Sequence, residues 1–240
     1  MRLQDAALCA GARLLPAFRV VPWLVPWVMN HIADVCLGRR NGRLHESSTC
    51  LARLRAAVQP FDIILSRSEF RVSDRLIPSF FTHAAIYLGP DIAATAHGRR
   101  PGLAPLPESA AVLEAARTGV RLTSLEAASD VDVLVVLRET RPADHGVEAR
   151  LARIGQALGK EYDFWFDDAD DDRLFCSKLV ARVFTNLPLA APDQLGRLML
   201  PDDVARLAML RDPMLSALLV IDGRTMDQRC SLEHYAPLLA

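Results

Sequence analysis

Three side chains lying far apart in the chain can be combined into one reactive centre: Cys176, His83 and Glu114. Cys176 lies in RLFCSKLVARVF, where a polar loop gives way to a helical pattern with an apolar face at Leu179, Val180, Val183 and Phe184. A helix N-terminus presents unpaired N–H groups and partial positive charge. Both stabilise a thiolate, whose ordinary pKa of about 8.5 must fall for reactivity at neutral pH. The same N–H groups can hold the oxyanion formed when a carbonyl is attacked. His83 opens an apolar run after Thr82, and an imidazole beside a thiol takes its proton and leaves a reactive ion pair. Glu114 sits inside AVLEA, where strand burial disfavours charge; placed against an imidazole, a carboxylate fixes the tautomer and stabilises the imidazolium. Each residue also has a plainer reading. Free cysteine is commonly a small buried hydrophobe, a lone strand histidine is usually structural, and Glu114 can pair with Arg117 or Arg121. The chemistry requires the three to converge.

The elements that would bring them together can be read from periodicity and punctuation. Residues 1 to about 57 read as helical pieces, the last a capped helix over Ser48–Ala57 stopped by Gln59-Pro60. Strands are predicted over Phe61–Ser66, Thr82–Gly89, Ala111–Ala115 and Val131–Arg138, with a turn and a short fourth strand over Arg117–Thr123. Asp91–Ser109 reads as a surface loop. A helix fits Gly146–Leu158, ended by Gly159, and an aromatic and acidic loop spans Phe164–Arg173. The cysteine helix is predicted over Cys176–Asn186. The last fifty residues read as helical, with a start at Pro201-Asp202-Asp203. Helices, then neighbouring strands, then helices predict an α+β fold around an antiparallel sheet.

At this point the chain resembles a known family. The phrases QPFDIILSRSEFRVSDRLIPSFFTHAAIYLG, VLEAARTGV and GKEYDFWFDDADDDRLFCSKLV, in that order, resemble the permuted branch of the NlpC-type papain-like hydrolases, the YiiX-like proteins. The resemblance covers about Pro60 to Ala205. It implies a papain-like antiparallel sheet packed against helices, with the histidine strand ahead of the cysteine helix, and extra N-terminal helices outside the match. It implies a Cys–His–Glu triad, falling on Cys176, His83 and Glu114. Tyr162 and Asp163 match the Tyr-Asp phrase before the cysteine, which lines the pocket or holds the loop. Two positions depart from the pattern. Pro60-Phe61-Asp62 stands for Pro-Gly-Asp, and Cys176-Ser177-Lys178 for Cys-Ser-Glu. Lys178 in the first helical turn is mildly unfavourable for the helix, yet its charge could favour a thiolate.

Composition narrows the rest. The chain has 240 residues, 51% hydrophobic and 24% charged, with net charge -1. That suits one compact domain, excludes disorder, and gives no long-range pull towards nucleic acid. Arginine almost replaces lysine, with only Lys160 and Lys178 present, and alanine is abundant, which points to a GC-rich bacterial genome. The five cysteines (Cys9, Cys36, Cys50, Cys176 and Cys230) have no metal or CxxC spacing, so neither a metal site nor a disulfide framework is expected. No cofactor motif is present. The acidic run Asp167, Asp168, Asp170, Asp171 and Asp172 lacks the glycine and distal glutamate of a calcium loop and reads as a solvated turn.

Residues 1–57 are expected to form a helical appendage and 58–240 the catalytic domain. Between Arg19 and Asp34 too few uncharged residues remain for a span, which needs about 20. Trp23 and Trp27 could rest at a lipid interface or cover the domain's own surface. With no export signal apparent, a cytoplasmic protein, peripheral at most to the inner membrane face, is expected. The functions in view are a cysteine amidase or peptidase acting on a small peptide, amide or lipid-linked substrate; an acyltransferase or thioesterase of the lecithin–retinol acyltransferase type; and a non-catalytic ligand-binding module.

Overall fold

The computed structural model describes residues 41–69, 77, 79–141, 146–167, 169–189, 199–225 and 231–239. The expectations for residues 1–40, including Trp23 and Trp27, lie outside the described residues, as do Asp168 and three of the cysteines.

The first helix, α1 (Ser48–Ala57), begins where Ser47 accepts the Cys50 N–H at 3.3 Å and ends before the Gln59-Pro60 breaker. It buries Cys50 and Leu54 against one face of the sheet. Just upstream, Gly42 and Arg43 donate their N–H groups to Asp130 and Asp132. A Cβ on Gly42 would meet the Val131 backbone at 2.4 Å, so only glycine fits this approach. The described part of the expected appendage is therefore packed into the domain, with Leu44, Cys50, Leu54 and Val58 in its core.

Six antiparallel strands form the sheet: β1 (Ile63–Arg67), β2 (His83–Tyr87), β3 (Ala110–Ala116), β4 (Gly119–Ser124), β5 (Val133–Glu139) and β8 (Leu215–Asp222), in the order β4-β3-β2-β1-β5-β8. Two short strands, β6 (Glu161–Tyr162) and β7 (Arg173–Leu174), pair separately and in parallel. The expected α+β layout stands. Successive side chains of a strand face opposite sides. Ile63, Leu65, Ala84, Ile86 and Leu113 enter one core, while Ile64, Ala85, Val112, Leu134 and Val136 enter the other beneath α1. Coverage on both faces is why these strands read as nearly unbroken apolar runs.

The first core is closed by α2 (Gly89–Gly98), α4 (Gly146–Ala157), α5 (Cys176–Val183) and α6 (Pro201–Arg206); the four-residue α3 (Leu125–Ala128) and α7 (Ala236–Leu239) complete the α-helices among the described residues, and a 3-10 turn spans Leu232–Tyr235. No helix among the described residues is long and apolar enough to cross a membrane.

Two elements differ from the sequence reading. The expected loop from Asp91 contains α2, because Gly89-Pro90 starts a helix as well as stopping a strand: Gly89 takes φ +71°, and Pro90 occupies the first turn. Ala93 and Ala96, three apart and both fully buried, give it a packing face. The second difference is β8, placed within the helical C-terminal stretch by its Leu- and Ala-rich sequence. The open edge of β5 recruits it, and a bulge between Val136 and Leu137 leaves Leu218 exposed. Tertiary pairing here overrides local propensity. The cysteine helix ends at Val183 rather than Asn186, capped by the Phe184 N–H on the Val180 carbonyl.

Candidate active site

The register of the sheet brings His83, Glu114 and Arg121 together. Ala85 pairs with Glu114, so His83, two residues earlier on the same face, is a diagonal neighbour of Glu114. Glu114 in turn pairs directly with Arg121, because the β3–β4 turn has two residues, Arg117 and Thr118. Glu114 Oε2 lies 3.1 Å from His83 Nε2, and Glu114 Oε1 accepts from Arg121 Nε at 3.0 Å and Nη2 at 2.9 Å. Both sequence readings of Glu114 therefore hold at once: it is an ion-pair partner of Arg121 and the carboxylate against the imidazole. The two-residue turn was the available signal for choosing Arg121 over Arg117.

Cys176 is the first residue of α5, after Phe175 in extended backbone at the N-cap. No side-chain cap occupies this end of the helix. The thiol is 4% exposed and lies in the core beneath α5. Cys176 and His83 lie close enough for each to shift the other's protonation, and the backbone N–H groups of Ala84 and Ser177 also favour the thiolate. The strand explains part of this: Ala84 faces the core that holds Cys176, whereas His83 faces Glu114.

Electrostatics follow from this chain of contacts. Burial is the largest single influence on His83 and opposes its protonation; hydrogen bonds and charge from Cys176 and Glu114 overcome it and raise the imidazole to about 10. Burial likewise disfavours the Glu114 carboxylate, but His83 and Arg121 hold it at about 2. Burial pushes the Cys176 thiol up, while His83 and the two backbone N–H groups bring it below its ordinary value. All three shifts favour a thiolate–imidazolium pair backed by a carboxylate. Cys50 has the opposite environment, and burial raises its thiol.

The remaining sequence candidates hold the loop ahead of Cys176. Asp163 is fully buried, and its carboxylate accepts the Trp165 N–H at 2.9 Å and the Asp167 N–H at 2.8 Å. Lys178 directs its ammonium to the carbonyls of Asp167, at 2.7 Å, and Asp170, and lies 5.9 Å from the centre of the Phe175 ring. Its charge is thus spent on loop carbonyls, and the thiol's support comes from His83 and backbone. Tyr162 packs its ring against Phe164 and Phe166, 5.0 and 6.3 Å away. Of the described residues of the acidic run, Asp167, Asp171 and Asp172 are exposed as expected and Asp170 is half-buried; Arg173 holds Asp170 at 2.6 Å and Arg182 holds Asp171 at 3.0 Å. Among the described residues, no group of three or more His, Cys, Asp or Glu side chains is arranged to hold a metal ion.

An antiparallel sheet whose histidine strand precedes a helix with cysteine at its N-terminus is a papain-like fold with its segments permuted. The chain belongs to the family of permuted papain-like amidases, the YaeF/YiiX or C92 family, whose model matches residues 57–226. A solved structure described as the metalloprotein yiiX from Escherichia coli O157:H7 is similar at 21% identity, covering 72% of this chain and 94% of that one, with a TM-score of 0.41. Comparison with curated proteins gives no match.

Proposed function

We propose that this amidase-family chain cleaves an amide bond of a small peptide or lipid-linked substrate through a thioester on Cys176. The observation that carries the reading is the His83 imidazole 3.1 Å from the Glu114 carboxylate and close enough to Cys176 that each shifts the other's protonation. The thiolate sulfur attacks the amide carbonyl carbon, and the carbonyl π electrons move onto oxygen. Uncapped N–H groups of the first turn of α5 receive that oxyanion. As it collapses, the C–N bond breaks and His83 gives its proton to the leaving amine. Water, deprotonated by His83, then attacks the thioester, releasing the acid and restoring the thiolate. Glu114 keeps the ring oriented and its charge balanced throughout.

A second reading, transfer of the acyl group to an amine or alcohol, uses the same thioester. It is favoured by the partly exposed aromatic run Tyr162, Phe164, Trp165 and Phe166, whose Phe166 ring is 5.4 Å from that of Phe175 beside the thiol. That surface suits an apolar substrate portion, and Trp23 and Trp27 would then add contact with a lipid surface. Flotation of the full chain with liposomes, compared with a truncation lacking residues 1–40, separates the two readings. Loss of flotation in the truncation supports the lipid reading, and no flotation of the full chain removes it.

The shared chemistry is tested by iodoacetamide. Cys176 should alkylate at least about a hundredfold faster than Cys50 near pH 6, where a thiol titrating near 8.5 is less than about 1% ionised. His83→Ala should remove most of that advantage. Equal rates for the two cysteines would sink the catalytic proposal.

A further inference from the structure

The cysteine and the histidine come from elements 93 residues apart in sequence (176 minus 83), and a third segment touches both. Residues 199–202 lead into α6. At one end of this segment, the Met199 carbonyl accepts the hydroxyl of Ser177, the residue after Cys176, at 2.9 Å. At the other, Asp202 accepts the backbone N–H groups of Phe80 at 2.7 Å (Oδ2) and Phe81 at 2.8 Å (Oδ1). These two residues run directly into Thr82 and His83. Ser177 and Asp202 are 1% and 4% exposed, so these contacts are closed to water.

Asp202 is not needed as a helix cap. Its neighbour Asp203 does that work, accepting the Leu200 N–H at 2.8 Å and pairing with Arg206. Burial pushes the Asp202 carboxyl up from the usual range, against the N–H groups of Phe80 and Phe81. A helix that only needed capping would not turn a second acid inward at that cost. Both carboxylate oxygens are instead committed to the segment that leads into β2, more than a hundred residues away.

We infer that Asp202, together with the Ser177–Met199 hydrogen bond, is a positioning residue: the 199–202 segment is a bracket that sets the distance between the Cys176 thiol and the His83 imidazole. This rests on the reading of Cys176 and His83 as the reactive pair. It extends that reading by assigning the pair's alignment to a group that touches neither.

The test is the pH profile of Cys176 alkylation in the full chain, with Tm measured in parallel. Asp202→Asn sets an amide donor against one of the two N–H groups and should shift the strand end. The apparent thiol pKa should rise by about one unit, slowing alkylation about tenfold on the acid side. The sign discriminates, because removing a nearby negative charge without movement would lower the thiol pKa. Asp203→Ala, on the same turn, should lower Tm and leave the profile in place. If Asp202→Asn lowers Tm with an unmoved profile, the bracket is merely structural and the inference is overturned. Should that variant fail to fold, Ser177→Ala decides: a profile moved upward supports the bracket, and an unmoved one overturns it. A wild-type thiol titrating near 8.5 would instead refute the Cys176–His83 pairing itself, a result distinct from a low wild-type value that Asp202→Asn leaves unchanged.

Discussion

On the sheet side of the site, His83, Glu114 and Arg121 stand on three adjacent strands whose backbones are hydrogen-bonded to one another. On the helix side, Cys176 follows a loop, 163–172, whose backbone is held largely by side chains: Asp163 on two N–H groups, Lys178 on two carbonyls, Asp170 on the Asp172 N–H. A ladder keeps its geometry when one side chain changes, because the backbone bonds are made whatever the residue. A loop held by side chains loses geometry with the residue that holds it. Substitutions on the sheet side should therefore alter charge and proton position with little loss of fold, and those on the loop side should alter stability first.

The largest effect expected is that of Asp163→Ala. It leaves two partly buried N–H groups without their acceptor, at no more than about 1–3 kcal/mol each. A fall in Tm and faster proteolysis between residues 163 and 173 should accompany slower alkylation of Cys176. If Tm is unmoved and only reactivity falls, Asp163 belongs with the reactive groups and the contrast between the two sides fails. Next comes Glu114→Gln, whose neutral amide keeps the shape but not the charge. Hydrolysis or alkylation near neutral pH should fall about tenfold to a hundredfold, which is about 1.4–2.7 kcal/mol. Thermal stability should change far less than in Asp163→Ala. A Tm loss as large as that of Asp163→Ala would show that charge on the sheet side also holds the fold.

How much of this is legible without coordinates depends on how local each determinant is. β1, β2, β3 and β5 were readable because buried strands leave apolar runs of Ile, Val and Leu between breakers, and His83 and Glu114 stood out as polar residues inside such runs. Arg121 was readable in principle from the two-residue turn at Arg117-Thr118, since strand pairing around a tight turn is simple counting. Asp163 could not be assigned from the sequence, because a Tyr-Asp phrase serves a pocket and a turn equally well; its hold on the loop comes from two N–H partners that only the fold brings to it. α2 and β8 escaped because the first opens on a Gly-Pro pair that also ends strands, and the second is a Leu-rich segment whose strand state comes from its neighbour. Asp202 was visible only as a helix-start acid. Its partners lie about 120 residues upstream, and no local pattern encodes a contact of that kind.

The smallest effect, and the one that sharpens the contrast most, is expected of Arg121→Gln. The guanidinium is about half exposed (52%), so its pairing with Glu114 is screened and is worth about 0.2–1 kcal/mol. Its dependence on pH identifies its origin. Glu114 is held at about 2 against an ordinary 4.5, so its charged contacts stabilise the fold fully above about 4.5, and that contribution is lost as pH falls through about 2. If Arg121 acts through the charge of Glu114, the Tm difference between wild type and Arg121→Gln is greatest above about pH 4.5 and closes as pH falls through about 2, below which both proteins carry a neutral carboxyl. It should also shrink with added salt. A difference constant across that range would mean that Arg121 supports β4 by packing its stem, and that the low pKa of Glu114 is owed to His83 alone. The imidazole has the opposite sign: raised from 6.5 to about 10, its stabilisation is complete below 6.5 and disappears as pH rises through about 10. A Tm difference that is level between about pH 4.5 and 6.5 and changes only at more acid pH therefore reports the outer carboxylate pair, with the imidazole protonated in both proteins and unable to contribute to the change.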